Sequence, residues 1–195
     1  MQQEHLLSIF RDSGALLEGH FQLTSGLHSD RYFQCARVLQ FPQYTELLRG
    51  EIAERFRSSG IEVVVAPALG GIVVGQEVGR QLRARSLFAE RKEGVMQLRR
   101  GFQIGPGEKV LVCEDVVTTG GSVSEVITLV RGMGGKISGV AYIVDRSSGK
   151  VQFALDPGGE QFSLMSMNVL AYPPAECPLC AGGLPVVKPG SRGNM

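Results

Sequence analysis

Between positions 110 and 122 the chain reads Val-Leu-Val-Cys-Glu-Asp-Val-Val-Thr-Thr-Gly-Gly-Ser. Four apolar residues precede two adjacent acids, two more apolar residues and a turn rich in hydroxyls and glycine. A helical pattern follows at 122–133, with Val123, Val126, Ile127 and Val130 at i, i+3, i+4 and i+7. An unbroken apolar run of this length reads as a strand buried on both faces, as in a parallel sheet covered by helices. The turn then lies at a helix N-terminus, where backbone N–H groups and the helix dipole favour a phosphate. The paired carboxylates can accept hydrogen bonds from vicinal hydroxyls or organise a hydrated Mg²⁺. A ribose 5-phosphate presents both needs at once. No Gly-Lys-Ser/Thr follows the glycines, so this is not a Walker loop. The plain alternative is a strand–turn–helix with Thr or Ser as N-cap, and a cap alone does not require paired acids.

The rest of the chain extends the alternation. A first amphipathic helix is expected over 4–16, short strands joined at Ser25-Gly26 over 19–39, and a helix over 42–58 opened by Pro42. A β-branched strand over 61–66 leads through a turn at 67–71 into a helix over 71–84. Strands are expected at 86–90 and 95–100 around Lys92-Glu93-Gly94, at 109–114 and at 137–145. Weaker strand candidates lie at 161–167 and 168–171. Alternating strands and helices imply a parallel sheet with helices packed on it, and ligands bind at the carboxyl ends of such strands. Three turns belong there: 67–71, 114–122 and 145–149. The tail from Pro185 carries Pro, Gly and Ser and is expected to fray.

Composition narrows the class. With 195 residues, 43% hydrophobic and 20% charged, the chain has the make-up of one globular domain. A net charge of +1 argues against a general nucleic-acid binder. No apolar run approaches the roughly 20 residues that span a bilayer, and the N-terminus lacks a signal-peptide pattern. A cytoplasmic protein is expected.

The 110–122 stretch resembles the phosphoribosyl-diphosphate (PRPP) binding motif of the type I phosphoribosyltransferases. The resemblance implies an α/β fold with a central parallel sheet flanked by helices and a small hood. The core would span about 41–159, and N- and C-terminal hood elements about 1–40 and 160–195, in a single domain. It implies that Glu114 and Asp115 meet the ribose hydroxyls. Val116, Val117, Thr118, Thr119, Gly120, Gly121 and Ser122 would complete the PRPP site, with 118–122 around the 5-phosphate and Asp115 counted as catalytic.

Four more segments are similar to the orotate branch of that family. Leu23-Thr24-Ser25-Gly26-Leu27-His28-Ser29-Asp30-Arg31-Tyr32-Phe33 looks like its substrate segment, which implies Tyr32 and Phe33 against a flat pyrimidine. Pro67-Ala68-Leu69-Gly70-Gly71-Ile72 resembles its pyrophosphate loop, with Ala68, Leu69, Gly70 and Gly71 facing the diphosphate; these glycines do not fit a Rossmann G-x-G-x-x-G. Asp145-Arg146-Ser147-Ser148-Gly149 matches its arginine segment, which implies that Arg146 holds the orotate carboxylate, with Thr118 adding a hydroxyl. Glu90-Arg91-Lys92-Glu93-Gly94 opens what corresponds to the mobile catalytic loop, with Arg91 and Lys92 as catalytic cations. That loop is short here. Val95 and Gln97 stand where many members have lysine and histidine, and Thr24 and Gly70 where many have lysine.

The implied activity is transfer of phosphoribose from PRPP to orotate in pyrimidine biosynthesis. Mg²⁺ would be held mainly by PRPP and water, in a homodimer with shared sites. Another type I phosphoribosyltransferase acting on a purine, or a PRPP-sensing regulator on the same fold, are the alternatives; the first 20 residues are too short and too mixed in charge for a helix-turn-helix. Cys177-Pro178-Leu179-Cys180 is a lone CxxC. A structural zinc site wants four ligands, Cys35 and Cys113 are the only other thiols, and His5, His20 and His28 are distant in sequence. The segment is therefore read as a closing turn, and Cys113 as an inert core thiol.

Overall fold

The computed structural model of the chain describes residues 3–23, 25–167 and 170–189. In chain order the elements are α1 (Gln3–Asp12), β1 (Leu16–Gln22), β2 (His28–Phe33), α2 (Ala36–Leu39), α3 (Pro42–Phe56), β3 (Val63–Pro67), α4 (Gly70–Leu82), β4 (Arg85–Lys92), β5 (Val95–Leu98), β6 (Lys109–Val117), α5 (Gly121–Gly132), β7 (Lys136–Asp145), β8 (Glu160–Ser166) and α6 (Pro178–Ala181). They fall into two compact units, Pro42–Met167 and Met1–Phe41 with Asn168–Met195.

The larger unit is built on a six-stranded sheet in the order β5-β4-β3-β6-β7-β8. All neighbours run parallel except β5, which returns antiparallel on β4. The apolar runs explain the arrangement: β3 is buried at every residue and β7 at nearly all, which requires cover on both faces. Helix α5 turns Val123, Val126, Ile127 and Val130 inward, as the periodicity predicts. A buried Val or Leu contributes about 1.5–3 kcal/mol, so this strand core fixes where the strand ends fall. From β3 the chain winds outward to β4 and β5, then returns to β6 on the other side. The order therefore reverses between β3 and β6, the switch point at which doubly wound sheets open a ligand crevice.

The smaller unit pairs β1 antiparallel with β2 over a core that includes Leu6, Ile9, Phe10, Leu16, Phe21 and Phe33. Helix α1 stops at Asp12, short of the expected 16, because Gly14 turns to φ +66° and Leu16 already begins β1. The tail does not fray where described: Val187 accepts from Gln22 N–H and donates to His20 C=O, both at 2.8 Å. Of the weaker strand expected at 168–171, Leu170 and Ala171 are not in a strand. Residues 168 and 169, Thr24 and the tail beyond 189 lie outside the described residues.

Candidate active site

β3, β6 and β7 are parallel neighbours, so the turns that follow them open along one edge of the sheet. The ladder between β6 and β7 runs to the pair Val117 and Asp145. Just beyond it, Arg146 N–H donates to Val117 C=O at 2.8 Å, which ties the third turn to the second. The first turn is tied to the second by close contact. A Cβ on Gly70 would lie 2.7 Å from Asp115 Cγ, and one on Gly71 would lie 3.0 Å from Glu114 Oε1. The two glycines let the start of α4 press against the paired acids. A lysine at position 70, common in the resembled family, cannot be added to this backbone without displacing Asp115. The Ala68–Leu69 peptide is cis, and Leu69 is exposed.

Glu114 is buried and Asp115 half-buried. Asp115 N–H donates to Glu114 Oε1 at 2.9 Å, and Val116 N–H donates to Asp115 Oδ1 at 2.8 Å. Burial, reinforced by the neighbouring Asp115 charge, holds the Glu114 carboxyl well above the ordinary carboxylate range. The pair thus sets two adjacent carboxyls side by side, each with one oxygen fixed by a backbone N–H.

Thr118 and Thr119 are exposed on the next turn. Gly120 takes φ +75° and caps α5, and it supplies no side-chain cap of its own to the helix's leading N–H groups. A side chain at 120 has no room, since a Cβ would sit 2.6 Å from Val151 Cγ1 and 2.9 Å from Phe153 Cε1. Glu114 and residues 116–123 line a cavity of about 70 Å³. It combines hydroxyls, backbone donors and the positive end of a helix, as an anion site requires.

Asp145, a residue without a role in the sequence reading, organises the third turn. Its carboxylate accepts from Ser147 N–H at 2.7 Å, Ser147 Oγ–H at 2.6 Å and Gly149 N–H at 2.9 Å. An Asp two residues before a Ser at a strand end is the local signature of such a turn. Arg146 leaves this turn half-buried.

β4 continues three residues past the end of its pairing with β3, so Glu90, Arg91 and Lys92 project about 10 Å beyond it. They fold back into β5 through Glu93 and Gly94, both at positive φ (53° and 83°), the requirement of a two-residue hairpin turn. The expected loop is thus a closed hairpin in its first part. Arg91 is bidentate to Glu125 of α5, with both N–O distances 2.7 Å. The separation of 34 residues between them gave the sequence no signal of this pairing. Lys92 and Val95 are exposed and Gln97 half-buried.

Tyr32 and Phe33 lie on β2 of the smaller unit. The Phe33 ring is buried edge-on against Phe10, with centroids 4.9 Å apart, while half-buried Tyr32 donates from its hydroxyl to Gln34 Oε1 at 3.2 Å. Cys113 is fully buried and burial pushes its thiol far up, as an inert core residue should be. The Cys177–Cys180 segment is more than a closing turn. The turn is present, but His20 and His28 are folded onto Cys177 and Cys180; distance along the chain was no measure of distance in space.

Comparison with known proteins adds the family. A phosphoribosyl transferase domain matches residues 36–152. The orotate phosphoribosyltransferase of Chlorobaculum parvum is 59% identical over 194 residues, covering 100% of this chain and 98% of the relative. Among solved structures, orotate phosphoribosyltransferase from Aeropyrum pernix matches with a TM-score of 0.69 at 21% identity, over 83% of this chain and 93% of that one. Adenine phosphoribosyltransferase from Rhodothermus marinus matches with a TM-score of 0.66 at 18% identity, over 85% and 100%. The shared fold therefore does not separate the bases; the full-length identity does.

Proposed function

The chain belongs to the orotate phosphoribosyltransferases, and from that premise we propose how its three strand-end turns carry out the transfer. It moves the 5-phosphoribosyl group of PRPP to orotate, giving orotidine 5′-monophosphate and diphosphate in pyrimidine biosynthesis. The observation that carries the choice of base is the 59% identity along essentially the whole chain. The bond to diphosphate at the anomeric carbon breaks and a bond to the orotate ring nitrogen forms, through a state with oxocarbenium character. Ionised orotate already carries its nucleophile, so the protein's work is positioning and charge stabilisation.

In this reading the 5-phosphate sits on the 118–122 turn, against the N-terminus of α5. Glu114 and Asp115 face the ribose hydroxyls. The backbone of Ala68, Leu69, Gly70 and Gly71 faces the diphosphate, a role supported by the close seating of Gly70 on Asp115. Arg146 takes the orotate carboxylate, with Thr118 beside it. Lys92, exposed near the hairpin tip, neutralises the leaving diphosphate; Arg91 joins it by exchanging Glu125 for the ligand. The donor set suits a hydrated Mg²⁺ carried by PRPP rather than a bare ion clamped by the chain, because Glu114 Oε1 already accepts from Asp115 N–H and Asp115 Oδ1 from Val116 N–H. Mg²⁺ bound in this way would offset diphosphate charge. We further propose a homodimer in which each hairpin serves the neighbouring site, and a cytoplasmic location, in keeping with four free thiols.

A panel of orotate, uracil, adenine and hypoxanthine with PRPP and Mg²⁺ tests the function. Orotate should be consumed at least about tenfold faster than any other base, a gap of about 1.4 kcal/mol. Preferred turnover of a purine, or none with orotate, would reject the reading.

A further inference from the structure

Four metal-ligating side chains converge in the smaller unit, far along the chain from the turns described above. The donor atoms of His20, His28, Cys177 and Cys180 all lie within 4.8 Å of one another. His20 Nε2 is 2.9 Å from His28 Nδ1, 3.6 Å from Cys177 Sγ and 3.7 Å from Cys180 Sγ; Cys180 Sγ is 3.3 Å from His28 Nδ1. A tetrahedral ion with ordinary Zn–N and Zn–S bonds would set its ligands about 3.3 Å (N to N), 3.6 Å (N to S) and 3.8 Å (S to S) apart. The spacings of His20 Nε2 to both sulfurs match that geometry, and those of His28 Nδ1 to His20 Nε2 and Cys180 Sγ fall about 0.3–0.4 Å inside it.

Three features of the backbone build the cluster. The β1–β2 ladder shifts register by one residue between Glu18 and Phe21. Gly19 and His20 occupy this bulge, a device that re-aims a side chain. The C-terminal segment then clamps both histidines: Tyr172 exchanges two backbone hydrogen bonds with His28, and Val187 N–H donates to His20 C=O, all at 2.8 Å. Between these clamps Cys177 and Cys180 bracket the start of α6, a tight turn closed by Ala181 N–H to Cys177 C=O at 3.1 Å and Gly183 N–H to Cys180 C=O at 2.9 Å. Finally, His20 Nδ1 lies 2.8 Å from Leu184 C=O. A carbonyl can only accept, so the proton sits on Nδ1 and the Nε2 lone pair is left facing the cluster, the outer hydrogen bond typical of ligating histidines.

We propose that His20, His28, Cys177 and Cys180 form a structural zinc site. Two thiolates and two imidazoles in a closed tetrahedral set suit Zn²⁺ and leave no position for substrate. The ion would staple the C-terminal segment to the β1–β2 hairpin. A small unit made of two separate stretches of chain gains most from such a tie.

The full-length protein, made without a polyhistidine tag or chelator, should carry one zinc per chain by elemental analysis. Cys177→Ser with Cys180→Ser should lower this to less than about a tenth. Cys180→Ser alone, at an exposed position, keeps the test open if the double variant fails to fold; its zinc should leave at a chelator concentration that the parent withstands. Cobalt added to the chelator-stripped parent should give tetrahedral ligand-field bands and thiolate-to-cobalt charge transfer, and His20→Gln should change both. Zinc removal should lower Tm by on the order of 10 °C. A folded parent without zinc or cobalt bands, a Cys177–Cys180 disulfide in the freshly purified protein, or zinc content unchanged in the double variant would each overturn the proposal.

Discussion

Replacing Glu114 with Gln should make the ligand-free protein more stable at neutral pH and less active. Glu114 is 9% exposed and lies beside Asp115, so its folded-state pKa is raised above that of the unfolded chain. At pH below the unfolded value, near 4.3, both states hold the proton and nothing is lost. Above it the unfolded chain releases the proton while the folded chain keeps it. Stability then falls by about 1.4 kcal/mol per pH unit until the folded group itself ionises. At pH 7 that amounts to at most ~3.7 kcal/mol, and relaxation around the site brings the realistic figure to about 2 kcal/mol. Gln keeps an oxygen for Asp115 N–H and offers an amide to the Asp115 carboxylate, yet does not titrate. Melting curves without added Mg²⁺ or chelator should show the variant ~4–8 °C above the parent at pH 7–8 and level with it at pH 4.5. Adding Asp115→Asn should abolish useful turnover in a folded protein. A gap between Glu114→Gln and parent that does not change with pH, or a parent that is the more stable at pH 8, would show that folding does not hold the Glu114 carboxyl above its unfolded value.

Gly120→Ala places a methyl against Val151 and Phe153 on a left-handed backbone; it should cost about 2–4 kcal/mol and weaken phosphate binding, measurable by melting and by PRPP titration. Arg146→Ala should cost orotate on the order of 2–4 kcal/mol, roughly 30- to 1000-fold in kcat/KM, while barely changing uracil; Arg146→Lys should recover only part, since an ammonium cannot reproduce the planar fork. An unchanged orotate-to-uracil ratio in Arg146→Ala would remove the carboxylate role. Mixing Lys92→Ala with Asp115→Asn should restore some activity through heterodimers, and no recovery after confirmed subunit exchange would exclude sharing of the hairpin between sites.

What the sequence made legible was the part of the molecule in which neighbours along the chain are neighbours in space. The run 110–122 contains its own strand, acids, turn and helix start, so its chemistry could be read in place. The parallel sheet followed from apolar runs that no half-exposed strand would carry, and the sheet then set the turns after β3, β6 and β7 side by side. Features that depend on packing were not legible. Gly70 read as a lost lysine, whereas on this backbone it is the residue that admits Asp115. Arg91 read as a cation open to diphosphate, but Glu125 of α5 holds it.

The histidine–cysteine cluster shows where that boundary could have been moved. A hairpin whose ladder pairs Gln22 with His28 places residue 28 diagonally across from residue 20 on the same face of the ribbon, within reach for long side chains. Two histidines at that spacing, together with the two thiols of a CxxC elsewhere, already make up the four ligands of a tetrahedral set. The missing step is the return of the C-terminal segment to β1 and β2, which rests on backbone hydrogen bonds of Tyr172 and Val187. Backbone pairing leaves little trace in side-chain identity, so spacing in sequence made the thiols and imidazoles look unrelated. The two ends of the chain, weakly patterned when read separately, form one unit through that backbone pairing, and it is the pairing that brings the four donor side chains together.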